Sequence, residues 1–152
     1  MEIGTTEATT VALKNVLEQI CQIRGWKYGE IWVPDQDVLR CHPAVYMDTS
    51  EIAEFRRFSE EFTFRAGAGL PGRVWMFQEA EWIENVSEQP AIYYRSHLAK
   101  SAGLKAAVGI PIIESGEVKA VLIFYSDQIQ PADEQLIAAL KDQIQSLIFH
   151  SI

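Results

Sequence analysis

A chain of 152 residues, 48% of them hydrophobic, can bury a substantial core, and its length fits a single domain over residues 1–152. Thirteen basic residues against 21 acidic ones give a net charge of −8, with only Arg56-Arg57 adjacent, so no nucleic-acid partner is expected. No stretch reaches the apolar length of a membrane span, no basic start leads into an apolar run at the N-terminus, and Cys21 and Cys41 lack metal or redox spacing. The composition is that of a cytoplasmic domain with no membrane partner and no metal.

Leu13, Val16, Leu17, Ile20 and Ile23 recur at helical spacing and predict an amphipathic helix over roughly Thr6 to Arg24, stopped by Gly25. Trp26 to Val33 predicts a strand, Pro34 to Asp37 a turn, and Val38 to Met47 a partner strand. His42-Pro43 should interrupt that ladder, because proline has no N–H to donate. Asp48 and Glu51 have the spacing of a capping box, ahead of a helix carrying Ile52, Phe55, Phe58 and Phe62.

The segment Phe64 to Trp75 then places Gly67, Gly69, Pro71 and Gly72 within six positions. Glycine supplies positive φ there, and Pro71 suits a first helical turn, so the bend should deliver Leu70, Val74 and Trp75 into the interior from a short helix ending near Gln78. Glu81 to Glu84 predicts a brief strand, and Ser87 can cap a helix running to Ala102, closed by Gly103.

Leu104 to Ile113 and Val118 to Ser126 predict a hairpin turning at Ser115-Gly116. Val121, Ile123 and Tyr125 face one way, Ala120, Leu122 and Phe124 the other, and both sets are apolar. A sheet here must be covered on both faces. One cover is the last helix, with Pro131 in its first turn, Asp133 and Glu134 at its positive end, and an apolar set from Leu136 to Ile148. The other must come from the middle of the chain. The class is α+β, with an antiparallel sheet between two layers.

Gly67-Ala68-Gly69-Leu70-Pro71-Gly72-Arg73-Val74-Trp75, Trp82-Ile83-Glu84-Asn85-Val86, the run Gly103 to Ile112 and the run Gly116 to Leu122 resemble a GAF domain over essentially the whole chain. The variety it most resembles is that found in bacterial multidomain signalling proteins, particularly sensor histidine kinases. The resemblance implies a GAF-like, PAS/GAF-type six-stranded antiparallel sheet with the terminal helices on one face and a helical excursion enclosing a small-molecule cavity on the other.

Several chemistries can be weighed against this background. Gly67 to Gly72 matches G-x-G-x-x-G, but no parallel βαβ unit follows and Pro71 removes an amide that a phosphate would use, so the motif reads as a packing bend. The cyclic-nucleotide motif of some GAF domains is incomplete: Asp133-Glu134 are present, but Ser126-Asp127 stand in place of Asn-Lys. The helix around Ile92 to Leu98 has no cysteine for a covalent bilin, and two separated cysteines do not make the pattern of a GAF-type methionine sulfoxide reductase. No nucleophile is matched with a base and an orienting acid, so no enzyme is expected.

The expected function is sensory and regulatory: a small molecule or a partner binds, and this biases the packing of the terminal helices in signal transduction. Phe64, Trp75, Trp82, Tyr93, Tyr94 and His97 are the candidate ligand pocket, each with core packing as the alternative. The alternative function is a ligand-free dimerisation module, using Ile137, Leu140, Ile144 and Leu147 as a helix seam, or a cyclic-nucleotide-binding GAF domain with an incomplete motif. A small-molecule ligand of unknown identity, and a homodimer or other signalling domains, are the expected partners.

Overall fold

The computed structural model describes residues 2–151, so Met1 and Ile152 of the expected 1–152 domain lie outside the described residues. Helix α1 spans Glu7–Arg24. Thr6 caps it, its hydroxyl accepting the Thr9 N–H at 3.2 Å. Gly25 ends it at φ 71°, where the left-handed conformation lets the cap N–H reach the Cys21 carbonyl. Strands β1 (Tyr28–Asp35) and β2 (Val38–Met47) follow as an antiparallel pair.

The ladder breaks where proline predicts. Pairing passes from Glu30↔Val45 to Trp32↔Cys41, so His42, Pro43 and Ala44 together stand opposite Ile31. His42 holds this bulge through both ring nitrogens. Nδ1 accepts the Ala44 N–H at 3.0 Å, which leaves the proton on Nε2 to be donated to the Gly4 carbonyl at 2.8 Å.

The expected capping box is absent. Asp48 pairs with Lys27 at 3.2 Å instead, and a 3-10 turn at Ser50–Ile52 leads into α2 (Ala53–Ser59) without a side-chain cap. The chain then turns into β3 (Thr63–Arg65), which lies along β2. Three residues are too few to announce a strand by alternation. Helix α3 (Gly69–Phe77) and strand β4 (Glu81–Ile83) match expectation.

The helix expected from Ser87 to Ala102 exists only in its second half. A 3-10 turn at Val86–Glu88, capped by Asn85 rather than Ser87, gives way to irregular chain before α4 (Ser96–Ala102). Pro90 explains the break, since it disfavours helical geometry at Gln89 (φ −128°). Strands β5 (Ala107–Glu114) and β6 (Glu117–Tyr125) turn at Ser115 and Gly116, both with positive φ as a two-residue hairpin demands. Asp133 caps α5 (Glu134–Ser151) by accepting the Leu136 N–H at 3.1 Å, and Pro131 precedes the helix rather than entering its first turn.

Among the described residues, six strands form one antiparallel sheet in the order β3-β2-β1-β6-β5-β4. Two cores lie on its two faces. Ala120, Leu122 and Phe124 pack with α1 and α5, whereas Val121, Ile123 and Tyr125 pack with residues of α2, α3 and α4. The two covers inferred from the hairpin pattern are both present.

Candidate functional site

On β1, Tyr28, Glu30 and Trp32 share one face by the two-residue period, and that face looks into the second core. Glu30 is therefore a carboxylate in the middle of a covered sheet, with 0% exposure. Its counter-charge is Arg95, 1% exposed, at the N-cap of α4. Arg95 donates from Nη1 to Glu30 Oε1 at 2.9 Å and from Nη2 to Oε2 at 2.7 Å, a two-pronged pairing that holds both planes. Trp32 Nε1 donates to the same carboxylate at 2.6 Å, and the Tyr125 hydroxyl at 3.2 Å.

The guanidinium has further partners through its two terminal nitrogens. It donates to Ser59 Oγ and to the Tyr125 hydroxyl, both at 2.9 Å. Four rings surround it, with Phe55 at 5.1 Å, Trp32 at 5.2 Å, Tyr93 at 5.3 Å and Phe64 at 5.7 Å from its central carbon. Each is within cation–π range. The Tyr93 and Tyr125 hydroxyls meet at 2.7 Å, tying the irregular segment to β6.

Burial pushes the Glu30 carboxyl up, but the Arg95 charge and the hydrogen bonds from Arg95 and Trp32 outweigh it and hold the group below its ordinary range. Burial pulls Arg95 down, and the facing Glu30 more than restores it. The pair is thus ionised, inside a shell of aromatic rings. Near it, Arg56 lies beside the buried Tyr28 hydroxyl and donates to the His42 carbonyl at 2.7 Å and to Glu60 at 3.0 Å.

The Gly-rich bend forms a wall of this face. Gly67 and Gly69 have positive φ. Gly72 sits against the Arg65 carbonyl, where a Cβ would collide with backbone. Leu70 and Val74 descend from α3 onto Gly109 of β5, with Val74 Cγ2 2.9 Å from where a Cβ would stand. Outside the wall, Arg73 grips Glu81 through two hydrogen bonds of 2.9 and 2.6 Å.

The six candidate pocket residues divide three ways. Phe64 and Tyr93 are buried against Arg95, and Trp75 packs half-buried on the same core. Tyr94, 58% exposed, stacks over Phe64 at 6.2 Å from outside. His97 is exposed, because Ser96 and Ala99 take the inward positions of α4. Trp82 is on the opposite face: Ile83 enters the second core, so its neighbour on β4 must turn to the first, where Nε1 donates to the Gln130 carbonyl at 2.8 Å. Sequence reasoning missed Glu30, Arg95, Trp32 and Phe55. Glu30 left a signal, being an acid flanked at i±2 by Tyr28 and Trp32 on a strand with no solvated face. The seam residues Ile137, Leu140 and Ile144 are at most 7% exposed and pack on their own sheet, with Leu147 half-buried beside them.

The family model described as GAF domain matches residues 7–148. The chain belongs to the GAF domain family. Among solved structures, this GAF domain superposes on the GAF domain/HD domain protein from Geobacter sulfurreducens with a TM-score of 0.72 at 10% identity, covering 97% of this chain and 95% of that one. It superposes on the A. aeolicus nlh2 GAF domain in an inactive state with a TM-score of 0.66 at 20% identity, covering 93% and 83%. A free methionine-R-sulfoxide reductase from Neisseria meningitidis gives a TM-score of 0.68 at 18% identity, covering 91% and 74%.

Protein NLP9 of Arabidopsis thaliana is 32% identical over 98 residues, which is 57% of this chain and 11% of that protein. Basic helix-loop-helix protein A of Pisum sativum is 31% identical over 84 residues, 55% of this chain and 12% of that one. This GAF domain spans about a tenth of the length of each of these two plant proteins. GAF domains are generally regulatory and sensory domains that bind small molecules. Here the middle of the face opposite α1 and α5 is filled by the protein's own side chains: Trp32, Phe55, Phe64, Tyr93, Tyr125 and Arg95 are each at most 2% exposed. No helix among the described residues is long and apolar enough to cross a membrane.

Proposed function

We propose that this chain is a regulatory GAF domain in which the Glu30–Arg95 network is the closed state of the ligand face, and that opening it changes the packing of α1 and α5. The observation that carries the reading is the wholly buried ion pair joining a central strand to the irregular chain before α4. Buried pairs add little net stability over an apolar core of the same shape, and they suit a role in choosing between states. The route across the sheet is short. Gly29, next to Glu30, leaves a gap bounded by Leu17 and Cys21 of α1 and by Phe124, each 3.4 Å from where a Cβ would stand. A shift of β1 on the ligand face is therefore felt directly under α1.

The test is hydrogen exchange on wild type and on Arg95→Met, which removes the charge but keeps a long apolar side chain. Exchange in α1 and α5 should rise more than in α3 and β5. Equal change everywhere, or none in the two helices, removes the reading. The activity is regulatory rather than catalytic in this view. Cys21 and Cys41 belong to opposite cores, and burial pushes both thiols up to about 12, far from the thiolate that sulfoxide reduction needs. A cytoplasmic setting beside other signalling domains belongs to the same proposal.

The filled face also favours a second reading, a GAF domain without a ligand that serves as an interaction module. Association would then use surfaces other than Ile137, Leu140 and Ile144, which their own core occupies. Sedimentation showing a monomer at high concentration sinks a homodimer version.

A further inference from the structure

The ligand class can be argued from what already fills the face. A guanidinium sits inside four aromatic rings, faces one carboxylate squarely, and donates to a hydroxyl on each flank. That arrangement of rings and one acid is how proteins hold small organic cations. The geometry points to a cation site whose resting occupant is the protein's own Arg95, and we propose that the regulatory ligand is a small organic cation with a guanidinium or ammonium head that displaces Arg95 from Glu30. This rests on the closed-state reading above and adds the chemistry of the opener.

The choice of a cation over an anion follows from which partner can leave. Glu30 lies in β1, bonded to β2 on one side and β6 on the other, and cannot withdraw without tearing the sheet's centre. Arg95 stands at the end of a stretch with no long helix or strand, flanked by the exposed Gln89, Pro90, Ala91 and Tyr94. That stretch is tied inward by the Tyr93–Tyr125 hydroxyl contact and by Arg95 itself. An entering cation leaves Glu30 neutralised while Arg95 swings to water. An entering anion would meet a fixed carboxylate and leave two negative charges buried together, the arrangement a low-dielectric site resists most. Arg95 Nε is also buried without a hydrogen bond, so the resident cation is held imperfectly.

Wild-type protein should be titrated with methylguanidinium, agmatine and choline, following Trp32-sensitive fluorescence and calorimetry, with methylurea as the neutral isostere and acetate as the anion. Saturable binding of at least one cation at millimolar concentration, with none of methylurea, is expected. Arg95→Ala should bind the same cation about tenfold tighter or more, because the internal competitor no longer holds most of the population closed. Absence of saturable cation binding to wild type overturns the proposal, whether or not Arg95→Ala folds. Equal affinity of a folded Arg95→Ala and wild type also overturns it. If acetate binds and exchange in α1 and α5 responds while no cation binds, the cation assignment falls and the closed-state reading stands. If nothing binds and the helices do not respond to Arg95→Met, both fall.

Discussion

At Glu30 and Arg95, two desolvated charges are balanced by each other and by the hydrogen bonds of Trp32, Ser59 and Tyr125. Removing one partner strands the other in an apolar shell, so Glu30→Gln or Arg95→Met alone should cost about 3–5 kcal/mol. Replacing both, as Glu30→Met with Arg95→Met, should cost less than either single change, because no charge is left unpaired. Urea denaturation of the three variants checks this. A double variant whose loss equals the sum of the singles would show that the two side chains are not coupled. The presence of an acid at position 30 was legible in the sequence, but its partner was not. The pairing joins positions 65 apart, and no local period connects them.

Among the elements, the Gly-rich bend and the start of α5 show how far local chemistry reaches. The bend depends on Gly72, where a Cβ would strike the Arg65 carbonyl, and on Gly109, where it would meet the Val74 side chain. A backbone obstacle cannot rotate away as a side chain can. Gly72→Ala should therefore destabilise more than Gly109→Ala, the latter by about 1–3 kcal/mol as an overpacked core site. Asp133→Ala should cost about 1 kcal/mol through loss of the Leu136 N–H acceptor. Thermal or urea melts rank all three, and a Gly72→Ala protein as stable as wild type would contradict the wall role of the bend. The bend's glycines and the Ser115-Gly116 turn could be read beforehand because their demands are set by neighbours in sequence. Strand β3 and the broken helix before α4 could not, since one is short and the other is decided at Pro90 against an apolar pattern that continues through it.

For the whole molecule, the acid side of the stability curve carries two markers. His42 accepts a backbone N–H at Nδ1, so its neutral form is required in the fold. Burial, the main influence, keeps its pKa below the ordinary 6.5. Its folded pKa is depressed, so the associated stability is present above 6.5 and is lost as pH falls through the folded value. Glu30, likewise held below its ordinary 4.5, adds a second loss at lower pH. Unfolding free energy measured from neutral to acid should decline first below about pH 6.5, and His42→Asn should flatten that first decline. A decline that persists unchanged in His42→Asn would assign it to other groups.

The sequence by itself determined the framework of this GAF domain: amphipathic end helices, a glycine bend, and a hairpin apolar on both faces that demanded two covers. These follow from periods and turns, which act over a few residues. Only the tertiary structure decided what each cover encloses. It turned Trp82 to the side of the terminal helices by the alternation of a short edge strand, kept Ile137, Leu140 and Ile144 for the domain's own core, and filled the opposite face with Arg95. A buried charge must find its opposite wherever the chain brings one. That choice is made in three dimensions, where the central strand and the segment before α4 meet.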